Sequence, residues 1–524
     1  MNIYLIGVMI SMVIYIAVGT LAGRKVKNVD DYYVAGRRAP TILIVGSLVA
    51  SFLSTGAFLG DTGEVYSGFF MPIVIVGVVQ GTGYLFGATL FGRYVRRSGA
   101  FTLSEYFGKR FQSKKLQKLA GFTTIVAVTA YMLSAIQGIS TLMSSITGLS
   151  YSFCVIIAWV SFAVFTVWSG SSGVLITDTI MFLVFLTAAI IGIPFIVKAA
   201  GGWIPAIQNL TLSTTKPGII SAGGNLEYLY PTGAENITWA VTYGIVWALV
   251  VMISPWQTSR YLMAKDEKTV LKSAVWSSAL VIMITTLLYF SAAFVQSINP
   301  DLVASQSIIW AAMNLMPKLV GVVLLTGILA AGISSASTFL SLIGFSITND
   351  LMNLTGGEID KQLRLSRIGM IGASVLVLIL AYFNPPQIFW IMYFGGTVIA
   401  SSWAVVALGS VWSKKLSSMG AFLGMLLGFI GCVAVKSYSV MMSVTLPIWA
   451  DSFFIGILLS IIGAVVGSIF WSKSEAEQKE QNQLKTEVET VEGIHRYGIA
   501  YLGFAVAFTL FMLFMYAFPY AKLM

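Results

Sequence analysis

Two stretches of small and hydroxyl-bearing residues lie inside long apolar segments, at residues 46–60 and 330–338. In the second stretch, Ser334, Ser337 and Thr338 stand at positions i, i+3 and i+4, which share one face of a helix. Hydroxyl and carbonyl oxygens are the ligands that a hard cation such as sodium prefers. Two such stretches in one chain therefore predict a sodium site shared between them. The alternative is that the small residues let helices pack closely.

Three acidic residues lie in or beside apolar segments, where a charge is costly and usually functional. Asp178 follows a Gly- and Ser-rich stretch at residues 169–173. It either caps the start of a helix at the membrane interface, where the helix dipole favours a carboxylate, or takes part in ion binding. Asp61 and Glu64 follow the first hydroxyl stretch and form either a cation-attracting vestibule or interfacial charges.

The composition predicts an all-α integral membrane protein. Of the 524 residues, 57% are hydrophobic and 10% are charged, with a mean hydropathy of +0.86. Soluble domains carry about 25% charged residues, and a helix needs about 20 apolar residues to cross a bilayer. The net charge of +10 comes from residues spread over short loops, so no nucleic-acid partner is expected. A single histidine and the lack of a P-loop or nucleophile pattern predict neither a cofactor nor enzymatic activity.

Fourteen apolar segments are predicted to cross the membrane. They are residues 3–22, 41–67, 70–95, 118–147, 151–169, 173–198, 238–256, 270–297, 318–346, 366–383, 388–412, 417–436, 448–472 and 497–519. A turn is predicted around residues 170–172. Most of the 31 Lys and Arg residues fall in connections on one side, which the positive-inside rule assigns to the cytoplasm. This predicts a multi-pass protein of the cell membrane with both termini external.

The chain resembles the sodium:solute symporter family in four stretches that follow the family's order. They are residues 31–38, 47–60, 170–178 and 331–335. In turn they resemble the loop before the first core helix, the broken core helix itself, a Gly-rich turn ending in Thr-Asp, and the sodium-site signature Ala-x-x-Ser-Ser.

The resemblance implies a LeuT-type fold, which has two inverted repeats of five helices. One extra helix precedes the repeats at the N-terminus, and three extra helices follow them at the C-terminus. The chain then divides into an N-terminal helix with a cytoplasmic loop (1–40), a first repeat (41–198), an external loop (199–237), a second repeat (238–412) and the C-terminal helices with their cytoplasmic loop 473–496 (413–524).

The resemblance also implies binding residues. The primary sodium ion would take three backbone carbonyls and two hydroxyls, from Ala50, Leu53, Ala331, Ser334 and Ser335. A second sodium site, which some members have, maps to Ser54, Ser337, Thr338 and Asp178, with Ala57 where such members carry a hydroxyl. The residues predicted to contact the solute are Phe52, Thr55, Gly56, Trp247 and Trp256.

The predicted function is sodium-coupled symport of a small organic solute by alternating access, with solute, sodium and the lipid bilayer as partners. Residues 255–260 match the Pro-x-x-x-x-Arg pattern of proline- and pantothenate-type members, which favours an amino acid, a carboxylate or a pantothenate-like solute. Their Pro-Trp-Gln start also resembles choline-type members, whose aromatic residues bind a quaternary ammonium. A transporter-like solute sensor and a proton-coupled carrier also remain open.

Overall fold

The computed structural model describes residues 3–23, 29–226, 229–353, 359–383, 387–486 and 494–521. This part of the chain is helical and contains no β-strand, only an isolated bridge between Ala39 and Ala264.

The helices that build the first half are α1 (Ile3–Gly23), α2 (Thr41–Phe52), α3 (Thr62–Tyr66), α4 (Phe70–Gly87), α5 (Leu103–Arg110), α6 (Lys114–Thr147), α7 (Tyr151–Ala199) and α8 (Gly233–Ile253). Those of the second half are α9 (Pro255–Met263), α10 (Glu267–Ile298), α11 (Lys318–Phe345), α12 (Ile359–Phe383), α13 (Ile388–Trp412), α14 (Ser418–Met442), α15 (Ser452–Phe470), α16 (Glu475–Thr486) and α17 (Ile494–Ala521).

In the described residues, ten helices are long and apolar enough to cross a membrane, or eleven if the bent pair at residues 41–66 counts as one span. Three shorter apolar helices, Ile3–Tyr15, Tyr151–Ala163 and Gly503–Met512, coincide with the first, fifth and last predicted segments. Helices therefore occur at all fourteen predicted positions. The protein is a multi-pass membrane protein, and the count of fourteen crossings stays a prediction.

The turn predicted around residues 170–172 lies outside the residues whose packing is described, and it stays a prediction. On either side of it the chain is helical, over Tyr151–Ala163 and over Gly173–Ala199. The hydroxyl of Thr177 donates back to the carbonyl of Gly173, a contact that a helix accommodates.

The break predicted in the first core helix is confirmed. Leu53 has a non-helical ψ of 67°, and the N–H of Ser54 donates to the carbonyl of Phe52 over 2.8 Å. The hydroxyl of Ser54 then accepts the N–H of Gly56 over 3.0 Å, which offers the backbone an alternative to the helix. A π-helical turn, Gly56–Asp61, leads into α3, and the two halves are bent by 44°.

The broken segment is enclosed by other helices. All residues from 44 to 66 are buried. Helix α2 contacts α7, α9, α10 and α11, and the π-helical turn contacts α13. Irregular backbone at membrane depth is tolerated where it is buried in protein, because no lipid then faces its free carbonyls.

Several Arg-rich connections meet at one end of the helices, which we call the basic end. A guanidinium nitrogen of Arg37 donates to the carbonyls of Gly99 and Ala100, and Arg96 donates to the carbonyl of Lys265. Helix α2 starts at this end, so the chain reaches the opposite end at Tyr66.

Candidate functional site

Asp178 is the centre of a buried polar network. Its Oδ1 accepts the hydroxyl of Ser334 over 2.6 Å, and its Oδ2 accepts the hydroxyl of Ser47 over 2.5 Å. Nη2 of Arg260 lies 3.0 Å from the same Oδ2. Asp178 is fully buried, and its carboxylate accepts hydrogen bonds from side chains of three other helices. In the described part of the chain it does not accept from N–H groups of its own helix, which argues against the interpretation of Asp178 as an interfacial cap.

Arg260 completes this network from α9. Its Nε donates to Ser47 over 2.8 Å and its Nη2 to Thr338 over 2.6 Å. Its Nη1 donates to the carbonyl of Trp256 over 3.0 Å. Nη1 also donates to the Ser259 hydroxyl over 3.1 Å. Arg260 is 2% exposed and all five of its guanidinium N–H groups have an acceptor, so in this conformation it has no donor left over for a solute carboxylate. Sequence reasoning had Arg260 only as part of the 255–260 pattern, because it follows the apolar segment 238–256 and reads as an ordinary loop charge.

The predicted primary sodium ligands lie on two helices in contact, α2 and α11. In a regular helix the carbonyls of Ala50 and Leu53 would accept the N–H groups of Ser54 and Ala57. Here those N–H groups donate to Phe52 and to Ser54 instead, so the break removes the regular donors of both carbonyls.

On α11, the Ser335 hydroxyl is buried and has no hydrogen-bond partner in the described part of the chain. Ala331 is fully buried one turn before Ser334 and Ser335. Among the described residues there is no group of three or more His, Cys, Asp or Glu that could hold a metal. The oxygens available at this place are thus mainly neutral, which suits a monovalent hard cation; their role as ligands stays a prediction.

The residues of the predicted second sodium site are engaged by protein groups. The Ser54 hydroxyl accepts from Gly56, and the Ser337 hydroxyl donates to the carbonyl of Ser334 over 2.9 Å. Thr338 accepts from Arg260, whose charge already compensates Asp178. The structure thus brings most residues of the predicted second sodium site together, but the cation that lies among them is the Arg260 guanidinium.

Three residues predicted to contact the solute form one aromatic cluster. The rings of Phe52 and Trp247 meet edge to face, with centroids 6.2 Å apart. Tyr131 joins the cluster, since its ring centroid lies 5.9 Å from that of Trp247 and 5.4 Å from that of Trp256. Tyr84 also contacts Phe52, with ring centroids 6.2 Å apart. Sequence reasoning missed the two tyrosines, because both lie in ordinary apolar helices.

Thr55 and Gly56, also predicted to contact the solute, face neighbouring helices. The Thr55 side chain is enclosed between Gly138 and Gly332; a Cβ added to Gly332 would lie 2.8 Å from Cγ2 of Thr55. A Cβ on Gly56 would overlap the side chain of Met392. Both positions therefore serve close helix packing, the alternative left open for this stretch, and contact with a solute stays a prediction.

A small cavity of about 20 Å³ lies between the network and the basic end. Arg260 and Thr338 line one part of it, and Tyr33 and Phe101 line another. Arg260 thus connects the lining of this cavity to Asp178 and, through Asp178, to the Ser334 hydroxyl.

Residues 32–428 match the sodium:solute symporter family model. The chain belongs to the sodium:solute symporter family. This symporter is 24% identical over 452 residues to a sodium/pantothenate symporter of Escherichia coli (strain K12), covering 84% of this chain and 90% of that one. It is 22% identical over 488 residues to a sodium/proline symporter of Salmonella typhimurium, covering 89% and 93% of the two chains. The resemblance seen in the sequence and the prediction of sodium-coupled symport are confirmed.

Solved structures show the fold of this symporter. A sodium-coupled sialic acid symporter in a substrate-bound outward-open state aligns with a TM-score of 0.73 at 16% identity, covering 90% of this chain and 99% of that one. A nucleobase-cation-symport-1 family transporter in a closed conformation aligns with a TM-score of 0.56 at 13% identity, covering 87% and 99%. The helical architecture is therefore that of LeuT-like sodium-coupled transporters.

Proposed function

We propose that this symporter uses the sodium gradient to take up a small organic solute, with sodium held between the break of α2 and the hydroxyls of α11. The observation that carries the proposal is the Ser335 hydroxyl, which is buried without a partner among the described residues, beside a helix in which the carbonyls of Ala50 and Leu53 have lost their regular donors. A buried polar group without a partner costs about 1–3 kcal/mol. A sodium ion coordinated by Ala50, Leu53, Ala331, Ser334 and Ser335 would satisfy these oxygens together.

Asp178 orients one of these ligands. Since the Ser334 hydroxyl donates a hydrogen bond to the carboxylate, the lone pairs of its oxygen are left for the cation. Sodium then joins α2 to α11 and favours the conformation that binds solute, and by linkage the solute tightens sodium binding to the same extent.

The basic end is proposed to face the cytoplasm, in agreement with the positive-inside rule. With this orientation and fourteen crossings, both termini lie on the external side of the cell membrane. The cavity beside Arg260 and Thr338 then lies on the release side. Separation of α11 from α2 would open the sodium ligands to this cavity and let the ion leave inward.

The proposed solute is an amino acid, a carboxylate or a pantothenate-like compound, which agrees with the pantothenate and proline symporters among the relatives. A second candidate is a quaternary ammonium compound. It is favoured by the ring cluster of Phe52, Trp247 and Tyr131, since aromatic faces attract a desolvated organic cation.

The test is uptake into proteoliposomes with and without an inward sodium gradient, at equal pH inside and outside. We expect accumulation of one solute class only when sodium is present, and none when potassium replaces it. In a separate sodium-free measurement, accumulation driven by a pH gradient alone would indicate proton coupling. Sodium-dependent solute binding without accumulation would indicate a sensor and would overturn the proposal.

A further inference from the structure

A second carboxylate, Asp61, is buried on the first core helix beyond the break. It is the last residue of the π-helical turn Gly56–Asp61 and is 7% exposed. Its Oδ2 accepts the hydroxyl of Tyr289 over 2.8 Å. Asp178 has Arg260 as its counter-ion, but the ion pairs found in the described part of the chain do not include Asp61. An ionised carboxylate that is buried with neutral partners alone costs several kcal/mol. Asp61 therefore needs either a cation bound beside it or a proton of its own.

A ladder of aromatic rings leads from the break of α2 along α8. Trp239, Tyr243 and Trp247 are spaced by four residues and therefore share one face of that helix. Trp239 and Tyr243 are stacked with centroids 4.9 Å apart, and Tyr243 and Trp247 are 6.2 Å apart. Because Trp247 also contacts Phe52, this ladder begins at the proposed solute site.

The ladder reaches the π-helical turn that carries Asp61. The ring of Tyr243 is stacked on that of Phe389, with centroids 5.4 Å apart. The backbone of Phe389 packs directly against Gly60, the neighbour of Asp61, since a Cβ added to Gly60 would lie 3.4 Å from it. The hydroxyl of Tyr243 is buried and has no hydrogen-bond partner among the described residues. An uncompensated carboxylate and an unpartnered hydroxyl thus lie in one aromatic neighbourhood.

We propose that Asp61 binds a positively charged, N–H-bearing group of the transported solute, with the Tyr243 hydroxyl and the aromatic ladder completing the site. The inference rests on the proposed function and narrows its solute class to amino acids and amines with a primary or secondary ammonium. A carboxylate forms charge-assisted hydrogen bonds with such a group, and the aromatic faces add cation–π attraction. A quaternary ammonium lacks the N–H donors that would pair with the carboxylate and the hydroxyl oxygen.

The test compares matched probes that differ in the charged nitrogen. The pairs are L-proline with cyclopentanecarboxylate, and β-alanine with propionate; choline serves as the quaternary probe. Thermal stabilisation of the purified full-length protein is measured for each probe in sodium and in potassium. We expect the ammonium member of at least one pair to stabilise the protein in sodium, at a concentration about tenfold lower than its nitrogen-free partner or choline.

Asp61→Asn should abolish this preference and leave the stabilisation by sodium alone unchanged. Asp301→Asn, an exposed acidic position at the same end of the molecule, is the matched control and should keep it. Tyr289→Phe removes the hydrogen bond that holds Asp61 and should weaken binding of the ammonium probe several-fold, which provides a second variant should Asp61→Asn fail to fold.

Each result has a defined meaning. Equal stabilisation by both members of every pair, or by no ammonium probe, overturns the role of Asp61. A preference that survives in Asp61→Asn also overturns this role, because a neutral Asn cannot pair with the ammonium group. Asp61 would then be only a buried, protonated structural group, which Asn can replace. These failures leave the proposed function intact as long as sodium alone stabilises the protein, whereas loss of every sodium effect contradicts the proposed function itself.

Discussion

Ser334 and Asp178 are joined by a hydrogen bond of 2.6 Å between the serine hydroxyl and Oδ1 of the carboxylate, across 156 residues of sequence. The neighbouring Ser335 hydroxyl is equally buried but has no partner in the described part of the chain. One proposed sodium ligand is therefore oriented by an acid, and the other is unpartnered. This difference separates the effects expected from removing each hydroxyl.

Ser335→Ala should raise the sodium half-saturation constant about tenfold, because one oxygen ligand is lost. Its melting temperature in sodium-free buffer should be no lower than that of the wild type, since no hydrogen bond is removed and a buried unpartnered hydroxyl is lost. Ser334→Ala should raise the sodium constant similarly but also lower stability by about 1 kcal/mol, because Asp178 loses a donor. Sodium titration of uptake and thermal unfolding measure the two effects. Ser341→Ala, whose hydroxyl donates only to the Ser337 carbonyl, is the control on the same helix. Wild-type sodium constants in both variants would refute the site.

Asp178→Asn should destabilise the protein by about 3 kcal/mol, because it leaves the Arg260 guanidinium buried without its counter-ion. Removing both charges, in Asp178→Asn with Arg260→Gln, should recover most of that loss. Thermal or denaturant unfolding in detergent compares the single and double variants. A single variant as stable as the wild type would mean that the ion pair contributes nothing to the fold.

The Asp178→Asn protein that does fold should also transport more slowly and bind sodium more weakly. The neutral amide holds the Ser334 hydroxyl less firmly than a carboxylate does. Uptake kinetics at several sodium concentrations provide the measurement, with solute binding at saturating sodium as the reference. Unchanged maximal rate and sodium affinity would restrict Asp178 to a structural role.

Phe52→Leu should change the relative half-saturation constants of two accepted solutes by roughly tenfold, because a ring edge against Trp247 is lost at the proposed solute site. Sodium binding in the absence of solute should be nearly unchanged. Phe58→Leu, which removes a buried ring that packs on Phe185, should lower stability without altering the order of solutes. If both variants show the wild-type order, Phe52 is a packing residue.

Gly138→Ala should cost about 1–3 kcal/mol of stability, because the added methyl group would overlap the Thr55 side chain at the closest approach of α6 to the break. Gly372→Ala provides a matched control, since nothing lies within 4 Å of the added Cβ. Unfolding of the two variants in parallel gives the difference. Equal stability would contradict the close approach of these segments.

The sequence by itself determined the class of the protein, the positions of its helices and the break in the first core helix. These features depend on local chemistry: long apolar runs partition into lipid, and a stretch of Ser, Thr and Gly weakens a helix wherever it lies. The hydroxyl pattern on α11 was equally local, since i, i+3 and i+4 spacing alone places side chains on one face.

Only the tertiary structure decided how the charged and aromatic residues pair. Asp178 and Arg260 are 82 residues apart, and neither charge reveals its partner until α7 and α9 pack together. The same holds for Tyr131 beside Trp247 and Trp256, and for Thr55, whose neighbours Gly138 and Gly332 lie on two other helices. These pairings depend on which helices pack together, through contacts that have no signature in the local sequence.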